Sequence, residues 1–298
     1  MRVVSFTGKD GVRSLGVFTE RGVIDLSASA HNAGVSDGPF ESMASFLEAG
    51  EPARIAAVRL VNDHSHAKIV SPGEVHLSAP VPHPGKIVAV GLNYRDHSME
   101  SGAAEPPKSP LIFAKFPTSI SGPGDAIALP ASDAKVDYEA ELGVVIGKRG
   151  KAVAAQNAFG HVAGYMPLND VSARAWQFAD KQWVRGKSCD TFCPTGPYLV
   201  TREEIPDPHS LAIRARVNGI TLQDSNTSKM IFRIPQLIEF ITASITLEPG
   251  DIIATGTPEG VGAFREPPIY LKAGDVVEIE IEKLGVLKNH VVDAKSSA

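Results

Sequence analysis

The sequence predicts a β-rich α+β fold with a large domain and a small N-terminal α/β domain. Short runs of β-branched or alternating apolar residues recur between Gly, Pro, Asn and Asp turns along most of the 298 residues, whereas helical spacing is confined to a few segments. With 43% hydrophobic and 21% charged residues, a chain of this length can bury a sizeable core.

The N-terminal region indicates a β-meander followed by two helices. The runs "RVVSF", "SLGVF" and "GVIDL" are separated by turn residues and predict three short strands. Apolar residues at helical intervals then predict helices over 40–50 and 53–63. In the second helix this spacing places Ile55, Val58 and Val61 on the apolar face.

Prolines concentrate in "HLSAPVPHPGK", which favours an extended connector. The domain boundary is therefore expected there, giving a small domain over 1–75 and a larger one over 76–298. In the larger domain we expect strands at "KIVAVGLNY", "LIFAKF", "DYEAELGVVIG", "HVAGYMPLND", "LAIRARVNG", "DIIATG" and "DVVEIEIE". Helices are expected over 93–101, 172–181 and 234–244.

Charge and hydropathy narrow the classes of partner. A net charge of −5 gives no basic excess with which to neutralise nucleic acid or an anionic membrane, so a small molecule is the expected partner.

No apolar run approaches the roughly 18 residues of a spanning helix, and the N-terminus does not resemble a secretory signal. A cytoplasmic protein is expected. Cys189 and Cys193 are expected to be reduced thiols.

The stretch "DYEAELGVVIGK" places Glu139 and Glu141 two residues apart in a strand-like segment. Alternate side chains of a strand share a face, so both carboxylates should point the same way, opposite to Tyr138 and Ala140. A divalent cation with oxygen ligands would remove their repulsion. A polar face on an exposed strand would produce the same pair, so the spacing alone leaves both interpretations open.

A third carboxylate favours the metal. Asp170 closes the apolar run "GYMPLND" and could supply another oxygen ligand at the same end of the sheet. Three carboxylates suit Mg²⁺ or Mn²⁺, whereas zinc more often uses His or Cys. Shortly after Asp170, Arg185 and Lys187 in "WVRGKSCD" could bind an anionic, oxygen-rich substrate, although a solvated surface lysine remains an alternative for Lys187.

Two further segments are candidate parts of the site. In "GLNYRDHSMESG", His97 and Glu100 lie three residues apart on an expected short helix, where such residues are neighbours. A carboxylate that orients an imidazole can activate water, but an exposed helix pair has the same spacing. The Gly-rich loop "TGTPEGVG" could present Thr257 and backbone N–H groups to an anion.

Taken in order, "GLNYRDH", "DYEAELGVVIG", "GYMPLNDVSARAWQ", "GKSCDTFCPTGP", "PGDIIATGTPEGVG" and "LKAGDVVEIEIE" resemble the fumarylacetoacetate hydrolase family over about residues 80–291. The N-terminal meander is similar to the small domain of its short bacterial members. The resemblance implies a mixed β-sandwich roll for the large domain, a homodimer, and a bound Mg²⁺ or Mn²⁺.

The resemblance also implies roles for individual residues. The metal ligands would be Glu139, Glu141 and Asp170, and the residues at family substrate-contact positions would be Gln177, Lys187 and Thr257. His97 and Glu100 match a His-x-x-Glu dyad on a lid that activates water. A further carboxylate ligand of the longer eukaryotic hydrolases has no counterpart here, since the aligned position is near Val90.

These residues suggest a metal-dependent hydrolase that cleaves a carbon–carbon bond in 2,4-diketo acids of the acylpyruvate or fumarylpyruvate type. The cation and Lys187 would stabilise the departing enolate. The same centre could instead serve an isomerase or decarboxylase of oxaloacetate, or of unsaturated dicarboxylates from aromatic breakdown, such as 2-hydroxyhepta-2,4-diene-1,7-dioate. A silent oxo-acid binding protein is a third possibility. Specificity is expected to come from lid residues between 95 and 110 and from the small domain.

Overall fold

A computed structural model describes residues 1–9, 11–102, 105–130 and 134–294. The strands in these ranges are β1 Arg2–Thr7, β2 Arg13–Thr19, β3 Gly22–Asp25, β4 Lys68–Val70, β5 His76–Leu77, β6 Ile87–Gly91, β7 Leu111–Lys115, β8 Ile120–Ser121, β9 Ala126–Leu129, β10 Val136–Asp137, β11 Ala140–Ile146, β12 Val162–Asn169, β13 Ser172–Ala173, β14 Cys193–Pro194, β15 Leu199–Thr201, β16 Ala212–Val217, β17 Ile220–Asn226, β18 Ile252–Ala254, β19 Val276–Ile281 and β20 Gly285–Asp293.

The α-helices are fewer, as the sequence predicts. They are α1 Leu26–Asn32, α2 Met43–Ala49, α3 Glu51–Asn62, α4 Arg95–Glu100, α5 Arg174–Ala179, α6 Val184–Lys187 and α7 Ile234–Ser244. Within the described ranges, every helix is too short or too polar to span a lipid bilayer.

Two sheets form the β-sandwich. The larger runs in the order β4-β3-β2-β1-β15-β12-β11-β18-β6-β7, with β5 beside β1, and the smaller in the order β17-β16-β19-β20-β9. Side chains from both, among them Val144, Tyr165, Ile213 and Ile279, share one buried core. The class is β-rich α+β with a mixed β-sandwich, which confirms the predicted fold.

The central strand β11 is buried on both faces, which explains its nearly continuous apolar sequence. Leu142 and Val144 face the core between the sheets, whereas Val145 joins a second core under the N-terminal helices. That second core includes Met43 and Phe46 of α2. The large sheet therefore has protein on both sides, and the end of β11 can carry buried polar groups.

The N-terminal meander forms as predicted and extends the large sheet. β1 pairs antiparallel with β15, with Arg2 opposite Val200. The strand β3 ends at Asp25, whose side chain accepts a hydrogen bond from Ala28 N and caps α1, a helix that the sequence analysis did not identify. The division into domains 1–75 and 76–298 stays a prediction.

The expected apolar face of α3 is wrong for two of its three residues, whereas Val61 is partly buried against the second core. Ile55 and Val58 are 47% and 44% exposed, whereas Ala53, Ala57 and Leu60 are buried. The small alanines let α3 pack closely against α1 and α2, and no helical-spacing rule based on large apolar residues selects them.

Candidate active site

The Glu139–Glu141 pair lies where β11 begins. Tyr138 and Ala140 point into the core between the sheets, so the two glutamates project from the opposite face, as strand alternation predicts. The backbone also joins this segment to the end of β12, because Asp170 N donates to the Glu139 carbonyl oxygen at 2.9 Å. Asp170 thereby comes beside the pair.

The structure brings the three acidic residues together as a buried cluster. Glu139, Glu141 and Asp170 each offer one carboxylate oxygen, and these oxygens lie within 4.8 Å of one another. Their exposure is 4%, 1% and 0%. Such a group could hold a metal ion.

Three buried cations surround this acidic cluster. Lys187 Nζ lies 2.6 Å from Glu139 Oε2 and 2.8 Å from Asp170 Oδ2. Lys115 Nζ donates to Asp170 Oδ1 at 2.6 Å and also to the Lys187 carbonyl oxygen. Arg174 Nη2 donates to Glu139 Oε1 at 2.6 Å. Glu139 and Asp170 therefore have ionic partners on both carboxylate oxygens.

Glu141 differs from its two neighbours. Its Oε2 accepts a hydrogen bond from Gly256 N at 2.9 Å, and no lysine or arginine in the described ranges forms a salt bridge with it. Burial and the nearby Asp170 and Glu139 carboxylates raise the pKa of Glu141 well above its ordinary value. Burial also opposes ionisation of Glu139, but Lys187 and Arg174 hold the pKa of that carboxyl below its usual range.

The charge balance of the site fits a divalent cation. Its buried carboxylates, including Asp137, outnumber its buried cations by one. A cation beside Glu141 would offset this excess, and the donors are hard oxygens of the kind that Mg²⁺ and Mn²⁺ prefer. Since each carboxylate oxygen has two lone pairs, an oxygen that accepts one hydrogen bond can also coordinate an ion.

The acidic cluster opens into a cavity of about 270 Å³. Of the residues predicted from sequence, this cavity is lined by His97, Glu139, Glu141, Gln177, Lys187 and Thr257. Aromatic side chains form much of the remaining wall, namely Phe113, Phe178, Trp183 and Phe264. The cavity thus has a charged floor and an apolar side.

The His97–Glu100 pair lies on α4 above this floor. His97 Nδ1 is 3.1 Å from Glu100 Oε2, and Glu100 Oε1 accepts a hydrogen bond from Gly260 N at 2.9 Å. His97 is 6% exposed, and its ring lies 6.0 Å from that of Phe264. Of the segment 95–110, to which the sequence analysis assigned specificity, residues 103 and 104 lie outside the described residues.

The expectation that Arg185 binds the substrate is corrected by the structure, because Arg185 is not among the residues that line the cavity. Its guanidinium forms two hydrogen bonds to Asp180, at 2.7 and 2.8 Å, and lies over the Trp176 ring on the surface. In the short helix α6, Lys187 is two residues further along and turns inward, so the two cations face different directions.

Arg174 is the cavity cation that the sequence analysis missed. Its Nε donates to Asp137 at 2.7 Å and its Nη1 to Gln177 Oε1 at 3.0 Å, in addition to the Glu139 contact. Burial raises the pKa of Asp137, although Arg174 acts against this effect. The i,i+3 spacing of Arg174 and Gln177 on α5 was a usable signal, whereas nothing local links Arg174 to Asp137.

A buried carboxylate triad beside a histidine–glutamate pair, at the end of a sandwich strand, defines a candidate metal-dependent active centre. Residues 86–292 match the family described as fumarylacetoacetate (FAA) hydrolase C-terminal. The chain belongs to this family.

Similar proteins of known name catalyse more than one reaction. The mitochondrial oxaloacetate tautomerase fahd2 of Xenopus laevis is 46% identical over 297 residues, which cover 98% of this chain and 90% of that protein. Among solved structures, maleylpyruvate hydrolase from Sphingobium sp. SYK-6, in complex with manganese(II) and pyruvate, is 32% identical with a TM-score of 0.80. The 2-hydroxyhepta-2,4-diene-1,7-dioate isomerase from Mycobacterium marinum is 34% identical with a TM-score of 0.73. Each structure covers 99% of this chain and is itself fully covered.

Proposed function

We propose that this protein is a divalent-metal-dependent isomerase that interconverts the enol and keto forms of oxaloacetate or a closely similar 2-oxo dicarboxylate. The observation that carries this proposal is the likeness to the oxaloacetate tautomerase. The two sequences are 46% identical, and the alignment covers 98% of this chain. The maleylpyruvate hydrolase is 32% identical. This favours the isomerase alternative of the sequence analysis over carbon–carbon bond hydrolysis.

The cations and amides of the cavity suit a substrate with carboxylate groups. Arg174 is held by Asp137 and Glu139, so the remaining N–H groups of its guanidinium are fixed in direction. Because Gln177 Oε1 accepts from Arg174, the Gln177 NH₂ group is left to donate into the cavity. Both residues would orient an anionic substrate above the acidic cluster.

His97 would move the proton at C3 of the substrate. Its Nδ1 faces the Glu100 carboxylate, which can only accept, so Nδ1 carries the hydrogen in the neutral ring and Nε2 is free to exchange one. In the enol-to-keto direction the C2 hydroxyl loses a proton and C3 gains one, and no carbon–carbon bond breaks. Glu100, fixed by Gly260 N, keeps the imidazole in the required tautomer.

Glu139, Glu141 and Asp170 would hold Mg²⁺ or Mn²⁺, which when bound supplies a Lewis acid for the negative charge that develops on the C2 oxygen. Lys187, whose pKa is raised by Asp170 and Glu139 against the effect of burial, stays cationic and adds to this stabilisation.

Hydrolysis of an acylpyruvate is the second candidate. The same histidine–glutamate pair can take a proton from water, and the maleylpyruvate hydrolase neighbour binds manganese and pyruvate. The two reactions differ in whether a carbon–carbon bond breaks, and a direct assay can separate them.

The test follows the ultraviolet absorbance of enol-oxaloacetate and, separately, pyruvate release from acetylpyruvate, fumarylpyruvate and oxaloacetate, all with Mg²⁺. We expect rapid loss of the enol and little pyruvate from any of the three compounds. A protein that releases pyruvate from the diketo acids without accelerating tautomerisation would overturn the proposal in favour of the hydrolase.

A further inference from the structure

Gln223 is a buried polar residue behind the cavity wall. It lies on β17 at the edge of the smaller sheet, is 1% exposed, and is not among the residues that line the cavity. Its carboxamide makes three hydrogen bonds, with Ala140 N, Thr257 Oγ1 and the Pro258 carbonyl oxygen. A buried amide so fully bonded fixes the groups around it.

Two backbone groups determine which way this carboxamide faces. Ala140 N can only donate, and it lies 2.9 Å from Gln223 Oε1. The Pro258 carbonyl oxygen can only accept, and it lies 2.8 Å from Gln223 Nε2. A flipped amide would break both contacts, so Nε2 must also be the donor to Thr257 Oγ1 at 2.9 Å.

The consequence falls on the Thr257 hydroxyl. A hydroxyl can donate or accept, but here it must accept from Gln223, so its own hydrogen is directed elsewhere. In the described part of the chain that hydrogen has no acceptor, and Thr257 lines the cavity. We propose that Gln223 is a positioning residue that makes the Thr257 hydroxyl an obligatory donor to an anionic oxygen of the substrate.

The same carboxamide also ties Thr257 to the acidic cluster. Ala140 lies between Glu139 and Glu141, and Gly256, next to Thr257, donates its N–H to Glu141. Gly256 has φ 98°, and a Cβ there would lie 2.8 Å from the Asn93 Cβ, so a glycine is required for this turn. The donor hydroxyl is thus held at a fixed position relative to the metal-binding carboxylates.

This inference rests on the proposed function, and a double-mutant cycle tests it. In its ionised form, Gln223→Glu keeps an acceptor for Ala140 N but cannot donate to Thr257, so that Thr257 would turn its hydrogen away from the cavity. Thr257→Val removes the hydroxyl at nearly constant shape. We expect each change to weaken Mg²⁺-dependent oxalate binding, measured by calorimetry, and to lower kcat/KM for oxaloacetate tautomerisation, by about tenfold. The double variant should lose no more than Thr257→Val alone.

Thr257→Ser provides the matched background, because it keeps a hydroxyl. In that background Gln223→Glu should lower oxalate affinity and kcat/KM as much as it does in the unsubstituted protein. A loss that occurs only when residue 257 has a hydroxyl would not result from general destabilisation. Gln223→Met, of similar length, adds no charge and has no donor, so it repeats the cycle without the electrostatic effect of a new carboxylate or the donor of a protonated one. The inference would be overturned if the fold-loss in oxalate affinity of the double variant equalled the product of the two single losses. Unchanged oxalate binding by both Gln223→Glu and Gln223→Met would also overturn it.

The oxalate measurement separates this inference from the proposed function. Should the protein fail to tautomerise oxaloacetate while the oxalate cycle behaves as expected, the proposed reaction is wrong and the positioning role stands. If tautomerisation is rapid and the cycle is additive, the positioning role fails alone.

Discussion

His97, Gln177 and Thr257 are each restricted to one hydrogen-bonding role by a neighbouring side chain. Glu100 leaves His97 with Nε2 as the ring nitrogen free for proton exchange, and Arg174 leaves Gln177 with its NH₂ group. In each case the restricting residue contacts the cavity-lining side chain directly. Substitutions of these residues should therefore have separable effects.

His97→Ala should lower kcat for oxaloacetate tautomerisation by about 10²–10⁴-fold, because the proton at C3 loses its carrier. Mg²⁺ affinity, measured by calorimetry, should be unchanged, since His97 is not part of the carboxylate cluster.

The matched control is His66→Ala. His66 forms an exposed i,i+3 pair with Asp63 at 2.8 Å, which reproduces the spacing of the His97 pair away from the cavity. This variant should keep full activity. Unchanged turnover by His97→Ala would exclude His97 as the proton carrier.

The short helix α4, which carries His97 and Glu100, is held by side-chain contacts at both of its ends. Asp96 pairs with Lys229 at 2.7 Å near its beginning, and Glu100 is held by Gly260 N at its end. With only six residues, α4 has little stability of its own, so these contacts and its packing decide where His97 lies.

Lys229→Met should loosen α4 without unfolding the protein. We expect amide hydrogen exchange at Ser98 and Ser101, which bond within this turn, to accelerate by a few-fold, as suits the loss of a partly exposed ion pair. KM for oxaloacetate should rise with it.

Lys288→Met is the comparison, because Lys288 pairs with Glu278 at 3.1 Å on the smaller sheet. It should leave exchange in α4 unaltered. Equal exchange rates at Ser98 in the Lys229 variant and the unsubstituted protein would show that the Asp96 contact does not restrain the helix.

At the scale of the whole molecule, the acidic cluster lies where two neighbouring strands of the large sheet meet. Repulsion between its buried carboxylates lowers the free energy of unfolding, and a bound cation would reduce this repulsion. Burial and the Asp170 and Glu139 carboxylates raise the pKa of Glu141 above 4.5. In the metal-free protein the folded state therefore binds this proton more tightly than the unfolded chain does. The contribution of Glu141 to the free energy of unfolding consequently falls as pH rises above about 4.5 toward the raised pKa.

Glu141→Gln removes this titration and keeps an acceptor for Gly256 N. Without metal, the variant should gain in free energy of unfolding relative to the unsubstituted protein as pH rises through that window, as measured by urea denaturation. With Mg²⁺ at a hundredfold excess over its Kd, the unsubstituted protein should gain about 2.7 kcal/mol and the variant much less. An equal response to Mg²⁺ in both proteins would exclude Glu141 as a ligand.

Much of the fold could be predicted because its strands depend on local sequence patterns. The strands β1, β11 and β12 follow from alternation and turn residues, and the same alternation where β11 begins places Glu139 and Glu141 on one face. Most of the buried face of α3 could not be predicted, since large residues such as Ile55 satisfy helical spacing while the small Ala57 is the buried one. The homodimer and the cytoplasmic location stay predictions.

The sequence by itself determined the strand-rich class, the glutamate pair and the His97–Glu100 spacing, because each depends on residues within one element. Only the tertiary structure decided that Arg174 rather than Arg185 lines the cavity and that Gln223 holds Thr257. Gln223 lies 83 and 34 residues from its partners Ala140 and Thr257. Contacts at such separations arise when the two sheets pack, and no local period in the chain encodes them.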